Sequence, residues 1–146
     1  KYMPFNLQAA LGYAQFQRIN ELVGRKRELF RMYKERLSDI GDLQFNTEPE
    51  GGVNGVWTTA VVFGKSHGVT KKEVMKRMND MGIPSRPFFY PLSSLPAYPG
   101  YREKCESLNP VAYDISNRGI NLSCAMNLTE DQIDAQCNAI RKILGR

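Results

Sequence analysis

Apolar residues recur at helical spacing from Leu7 to Leu37, and a helix of that length constrains everything else in a chain of 146 residues. Leu7, Leu11, Ala14, Ile19, Leu22, Val23, Phe30, Tyr33 and Leu37 stand mostly three to five apart. Asn6 is a suitable N-cap, because its side chain can accept from an orphan backbone N–H. Pro4 falls just outside the helix, and Gly41 supplies a stop after Ser38-Asp39-Ile40. A helix of roughly 30 residues would reach ~45 Å, more than the width of a domain this small. It must therefore break or extend beyond its own domain, and Gly24 is the expected place for a kink or break.

Downstream the periods alternate. Leu43-Gln44-Phe45 reads as a short strand, and Asn46 to Gly55 as a Gly/Pro loop. Val56 to Phe63 is the clearest strand, rich in β-branched and aromatic residues. Gly64 to Gly68 turns the chain. Thr70 and Glu73 form a capping box for a helix whose apolar side is Val74, Met75, Met78 and Met81, and Gly82 ends it. Ile83 to Phe89 is extended but interrupted by Pro84 and Pro87. Asn109-Pro110 opens a helix that ends near Arg118-Gly119, and Ile120-Asn121-Leu122 is a brief strand. Thr129 with Gln132 caps the last helix, which buries Ile133, Ile140, Ile143 and Leu144. Helices and short strands in this order predict an α/β chain, an α+β two-layer sandwich with a small sheet covered by helices.

Several familiar chemistries are excluded. Cys105, Cys124 and Cys137 form neither a disulfide framework nor a zinc site, and reduced thiols of a cytoplasmic protein are the reading. His67 is the sole histidine and has no partner for a metal. Gly64-Lys65-Ser66 is not a phosphate loop, because Thr59 stands where the motif's first glycine belongs. No apolar run approaches the ~18 residues of a membrane span. A net charge of +5 favours anionic partners. The Arg25 to Arg36 stretch interleaves glutamates with its cations, so a solvated, paired helix face is favoured over a nucleic-acid surface. The chain starts with Lys1 rather than Met, which suggests that the gene product begins earlier.

One segment is poorly explained by solubility: Arg86-Pro87-Phe88-Phe89-Tyr90-Pro91-Leu92-Ser93-Ser94-Leu95-Pro96-Ala97-Tyr98-Pro99. Prolines fix its backbone, aromatics offer flat walls, and an arginine can grip phosphate or carboxylate with two parallel donors. The aromatics could equally cap the sheet.

These segments carry a resemblance. Lys1 to Gln15, Arg18-Ile19-Asn20-Glu21-Leu22 and Arg25-Lys26-Arg27 resemble the start of the C-terminal domain of the DegT/StrS-type nucleotide-sugar aminotransferases. Gly82 to Pro87 with the loop to Tyr98 looks most like the perosamine-synthase branch. Gly119 to Ser123 and Asn127 to Ile133 resemble the family's closing strand and last helix. The resemblance covers residues 1–146 and implies the small domain of an aspartate-aminotransferase-type (fold type I) enzyme dependent on pyridoxal 5'-phosphate. It implies transfer of an amino group, commonly from glutamate, to a keto sugar on a nucleotide diphosphate. The Schiff-base lysine would lie in an N-terminal large domain that precedes Lys1, so the chain alone should be inactive, with no catalytic residue of its own. A homodimer is implied. Lys1 or Met3 holds the place of an Asn that reaches the cofactor phosphate of the neighbouring subunit in many members. Arg86, Phe88 and Tyr90 match the substrate-side loop, and Ser93 stands near a histidine that many members carry there. The other readings are a basic module for nucleic acid or acidic partners, and a non-catalytic dimerisation module.

Overall fold

The computed structural model describes residues 3–146. The first helical stretch is two helices, α1 (Asn6–Gln17) and α2 (Ile19–Arg36). The break falls at Arg18 rather than at the expected Gly24, which lies within α2. Arg18 has left helical geometry (φ −106°, ψ 13°), and its side chain pairs with Glu21 on the first turn of α2. Gly24 stays helical because intrahelical bonds outweigh the ~1 kcal/mol by which glycine trails alanine. The N-cap is Phe5, one residue before the expected Asn6, with Gln8 Oε1 accepting from the Phe5 amide.

A four-stranded antiparallel sheet follows: β1 (Leu43–Phe45), β2 (Thr59–Phe63), β3 (Arg86–Pro87) and β4 (Gly119–Leu122), in the order β1-β2-β4-β3. Strand β2 is shorter than the Val56 to Phe63 expectation. Val56 takes a left-handed backbone (φ 48°), unusual for a β-branched residue, and this turns Trp57 out of the sheet. The other helices are α3 (Lys71–Asp80), α4 (Arg102–Leu108), α5 (Pro110–Arg118) and α6 (Glu130–Leu144). The sequence reading missed α4, whose composition is mostly polar and charged.

Register defines the layers. Leu43, Phe45, Val61, Phe63, Ile120 and Leu122 share one sheet face. That face packs on Leu29, Tyr33 and Leu37 of α2, Val74 and Met78 of α3, and Ile133, Ile140 and Ile143 of α6. The expected two-layer sandwich is therefore present. The opposite face carries Gln44, Ala60, Val62, Gly119, Asn121 and, at the β3 edge, Arg86. Helix α1 contributes nothing buried; Leu7, Leu11, Tyr13 and Phe16 are each at least 60% exposed. Among the described residues no helix is long and apolar enough to cross a membrane.

Polar groups close the layers. Arg25 of α2 donates to the Leu128 carbonyl at 2.6 Å, Arg36 pairs with Glu130 at 3.0 Å, and Arg141 of α6 pairs with Asp39 at 2.8 Å. The Tyr33 hydroxyl donates to the Ser123 carbonyl at 2.9 Å, and burial raises its pKa. Both expected capping boxes form. Thr129 accepts from the Gln132 amide while Gln132 accepts from the Thr129 amide, at 3.3 and 3.1 Å. Removing this cap by Thr129→Ala should cost about 1 kcal/mol, with Thr129→Ser near wild type, as read from denaturation midpoints.

Candidate functional site

A cavity of about 650 Å³ opens where β2 begins and β4 ends. Its walls include Arg86, Phe88 and Tyr90 from the aromatic segment, Lys26 from α2, Trp57 and Asn121. Thus Arg86, Phe88 and Tyr90, grouped by sequence, do share one wall. Ser93 does not join them; its hydroxyl meets the Tyr113 hydroxyl at 2.9 Å, beside α5. Met3 is 89% exposed and is not among the residues lining this cavity, and Lys1 lies outside the described residues.

Each wall has a local cause. Pro87 cannot donate to a sheet, so β3 is an edge strand of two residues. Asn121 on β4 compensates, donating from Nδ2 to the Pro87 carbonyl at 3.2 Å. The Phe88 amide then donates to the Gly119 carbonyl at 3.0 Å. Beyond that point the chain leaves the sheet, and Phe89 stacks on Trp57 with ring centroids 5.9 Å apart. Both rings are well exposed, at 63% and 69%, so the pair forms a flat apolar platform at the cavity mouth.

The polar inventory describes what would fit. Arg86 is exposed, with no ion-pair partner among the described residues. Lys26 bonds the Cys124 carbonyl and lies 3.3 Å from its thiol. Two residues that line the cavity, Asn121 and Ser85, each carry a buried polar atom, Oδ1 and Oγ, with no hydrogen-bond partner among the described residues. A buried polar atom left unpaired costs about 1–3 kcal/mol. The exposed Arg86 and the flat platform together suit a ligand with negative charge and a planar ring. Lys26, Trp57, Ser85 and Asn121 were not grouped by sequence reading. The available signal was Asn121, a polar residue inside an apolar strand and only 7% exposed.

A larger groove of about 830 Å³ runs between α2 and β1. Its arginines are already engaged: Arg27 pairs with Glu48 at 3.1 Å and Arg31 with Glu35 at 3.8 Å. It is the paired, solvated helix face that the charge pattern suggests. Among the described residues no cluster of His, Cys, Asp and Glu could hold a metal. The three cysteines are unpaired, and burial pushes the Cys137 thiol up to about 11. The turn at Gly64-Lys65-Ser66 binds Asp42, whose carboxylate accepts from the Ser66 hydroxyl and is held below the usual range by that bond.

Solved structures share this fold. DesI, solved in the presence of its TDP-sugar product, matches with a TM-score of 0.79 at 20% identity, over 95% of this chain and 35% of its own. The Escherichia coli GDP-4-keto-6-deoxy-D-mannose-3-dehydratase with bound hydrated PLP matches with a TM-score of 0.67 at 17% identity, over 93% and 35%. A domain of this fold is therefore present in both of those proteins. Residues 2–141 match the DegT/DnrJ/EryC1/StrS aminotransferase family, and the chain belongs to it. GDP-perosamine synthase of Vibrio cholerae is 33% identical over 140 residues, covering 96% of this chain and 37% of that protein. The chain spans little more than a third of the length of such relatives.

The residues in hand do not fit pyridoxal phosphate itself. Met3 offers no donor to a phosphate and stands outside the cavity, and Lys26 is engaged by Cys124 rather than free to meet a carbonyl.

Proposed function

We propose that this chain is the C-terminal small domain of a pyridoxal-phosphate-dependent aminotransferase that moves an amino group, from glutamate, onto a keto sugar carried by a nucleotide diphosphate. The observation that carries the reading is the family match over nearly the whole chain. The similarity to a GDP-perosamine synthase supports the sugar-nucleotide substrate. In this reading the chain supplies the substrate-side wall. Arg86 receives the diphosphate, Phe88 and Tyr90 shape the cavity, and Ser93 supports the loop through Tyr113. The cofactor and the lysine that bonds it belong to an upstream large domain. The exposed apolar residues of α1, which surround the helix rather than line one face, pack on that domain, and burial of Leu7, Leu11 and Phe16 would favour this. By resemblance, Lys1 or Met3 holds the sequence place of a residue that reaches the cofactor phosphate of the neighbouring subunit of a homodimer, and of the two only Lys1 carries the charge a phosphate wants.

The test is the full-length polypeptide, supplied with pyridoxal phosphate, glutamate and a nucleotide-linked 4-keto sugar. The expected result is a visible absorption band from bound cofactor, and a product in which an amino group has replaced the keto oxygen. A band with loss of water from the sugar instead would place the protein with the dehydratases. Neither band nor product would remove the enzyme reading and leave a dimerisation module.

A further inference from the structure

Lys71 is the first helical residue of α3, directly after the Thr70 cap, and only 3% of it is exposed. Among the described residues no carboxylate pairs with it. Asp114 on α5 is engaged by Arg118 and Lys65, and Glu106 on α4 by Arg102. The neighbouring charge on its own helix is Lys72, another cation. An ammonium is unfavourable here on two counts. Burial strips its hydration, at several kcal/mol unless offset. A positive charge at a helix N-terminus also opposes the helix dipole. Burial first, and Lys72 second, lower its pKa. A methionine would fill the same space at less cost.

The ammonium is instead fully used as a grip. Nζ donates to Ser116 Oγ on α5 at 3.1 Å and, less tightly, to the Phe88 carbonyl at 3.4 Å. It stands 3.6 Å from the centroid of the Tyr90 ring. A cation over an aromatic face gains most where water is excluded. The three N–H bonds thus have three destinations, and two of them lie in the segment that walls the cavity. The segment's other holds are the Phe88 amide on Gly119, Asn121 on the Pro87 carbonyl and the Phe89 stack on Trp57, none of which reaches Tyr90.

We infer that Lys71 is a positioning residue: it ties Phe88 and Tyr90 to α5, and so fixes the wall from which Arg86 meets its ligand. The tie itself stands on geometry alone; its consequence for substrate rests on the function proposed above. Lys71→Met, Lys71→Arg and Lys72→Met in the full-length protein test both parts. Hydrogen exchange is followed by mass spectrometry in peptides covering residues 86–91, and steady-state kinetics with the nucleotide-linked sugar. Lys71→Met should speed exchange there about 10-fold. It should raise KM for the sugar nucleotide about 10-fold with kcat within about 2-fold. Lys71→Arg should restore most of both, and Lys72→Met should change neither. Exchange in 86–91 that stays at the wild-type rate in Lys71→Met overturns the tie. Faster exchange with an unchanged KM overturns the link to substrate while the tie stands. Should Lys71→Met fail to fold, Ser116→Ala removes only the anchor on α5. Its exchange should rise about 3-fold, and a wild-type rate there is equally fatal to the tie.

Discussion

Arg86→Ala in the full-length protein should lower kcat/KM for a nucleotide-linked keto sugar by roughly 30- to 150-fold while leaving the melting temperature unchanged. The guanidinium is exposed at the end of an edge strand and has no ion-pair partner among the described residues, so folding gains little from it. A solvent-exposed charge without a partner contributes within about 0.5 kcal/mol of nothing to stability. Once a diphosphate occupies the cavity the balance differs, because a charge-assisted, two-pronged bond contributes about 2–3 kcal/mol, and every 1.4 kcal/mol is tenfold in rate. Arg86→Lys should recover only part of the loss, since an ammonium keeps the charge but not the fork. Wild-type kinetics in Arg86→Ala would show that the loop faces no substrate and serves structure only.

How far the sequence could lead depended on whether a residue's role is local. Capping boxes at Thr70 and Thr129 were legible because a cap is a contract between residues three apart. The strands Leu43–Phe45 and Gly119–Leu122 followed from apolar alternation and flanking turns. The break at Arg18 was misplaced to Gly24, because propensity favours glycine as the weak point whereas the observed interruption is stabilised by an Arg18–Glu21 pair. The start of β2 was misjudged for a related reason. Val56 and Trp57 have strong strand propensity, yet the left-handed turn at Val56 and the stack on Phe89 take Trp57 elsewhere. The aromatic segment was identified from composition, but its companions were not. Lys26, Lys71 and Asn121 come from two helices and one strand, 45 and 50 residues apart in sequence order, and only the fold brings Lys26 and Asn121 into the cavity lining and Lys71 against Phe88 and Tyr90.

Gly119→Ala should damage stability and ligand binding together, which few single methyl groups can do. The backbone at Gly119 is extended (φ −103°, ψ 144°), so alanine meets no conformational penalty there. The obstacle is space. A Cβ at this position would lie 2.9 Å from Phe88 Cβ, 3.0 Å from Phe88 Cγ and 3.1 Å from the Ile115 carbonyl oxygen. Phe88 cannot simply step aside, because its own amide is bonded to the Gly119 carbonyl at 3.0 Å and its carbonyl is gripped by Lys71. Either β3 separates from β4 or Phe88 swings into the cavity. Overpacking of this kind costs about 1–3 kcal/mol. Gly64→Ala is the matched comparison. There a Cβ would fall 1.7 Å from Asp42 Cγ, at the opposite end of β2 from the cavity. It should destabilise by less, because the exposed Asp42 carboxylate can swing away at the cost of its bond to Ser66, while leaving KM for the sugar nucleotide as it was. Gly119→Ala should raise that KM at least about 10-fold, consistent with loss of a positioned binding wall. Equal KM values in the two variants would mean that the Phe88 wall is scaffolding and that the ligand binds elsewhere.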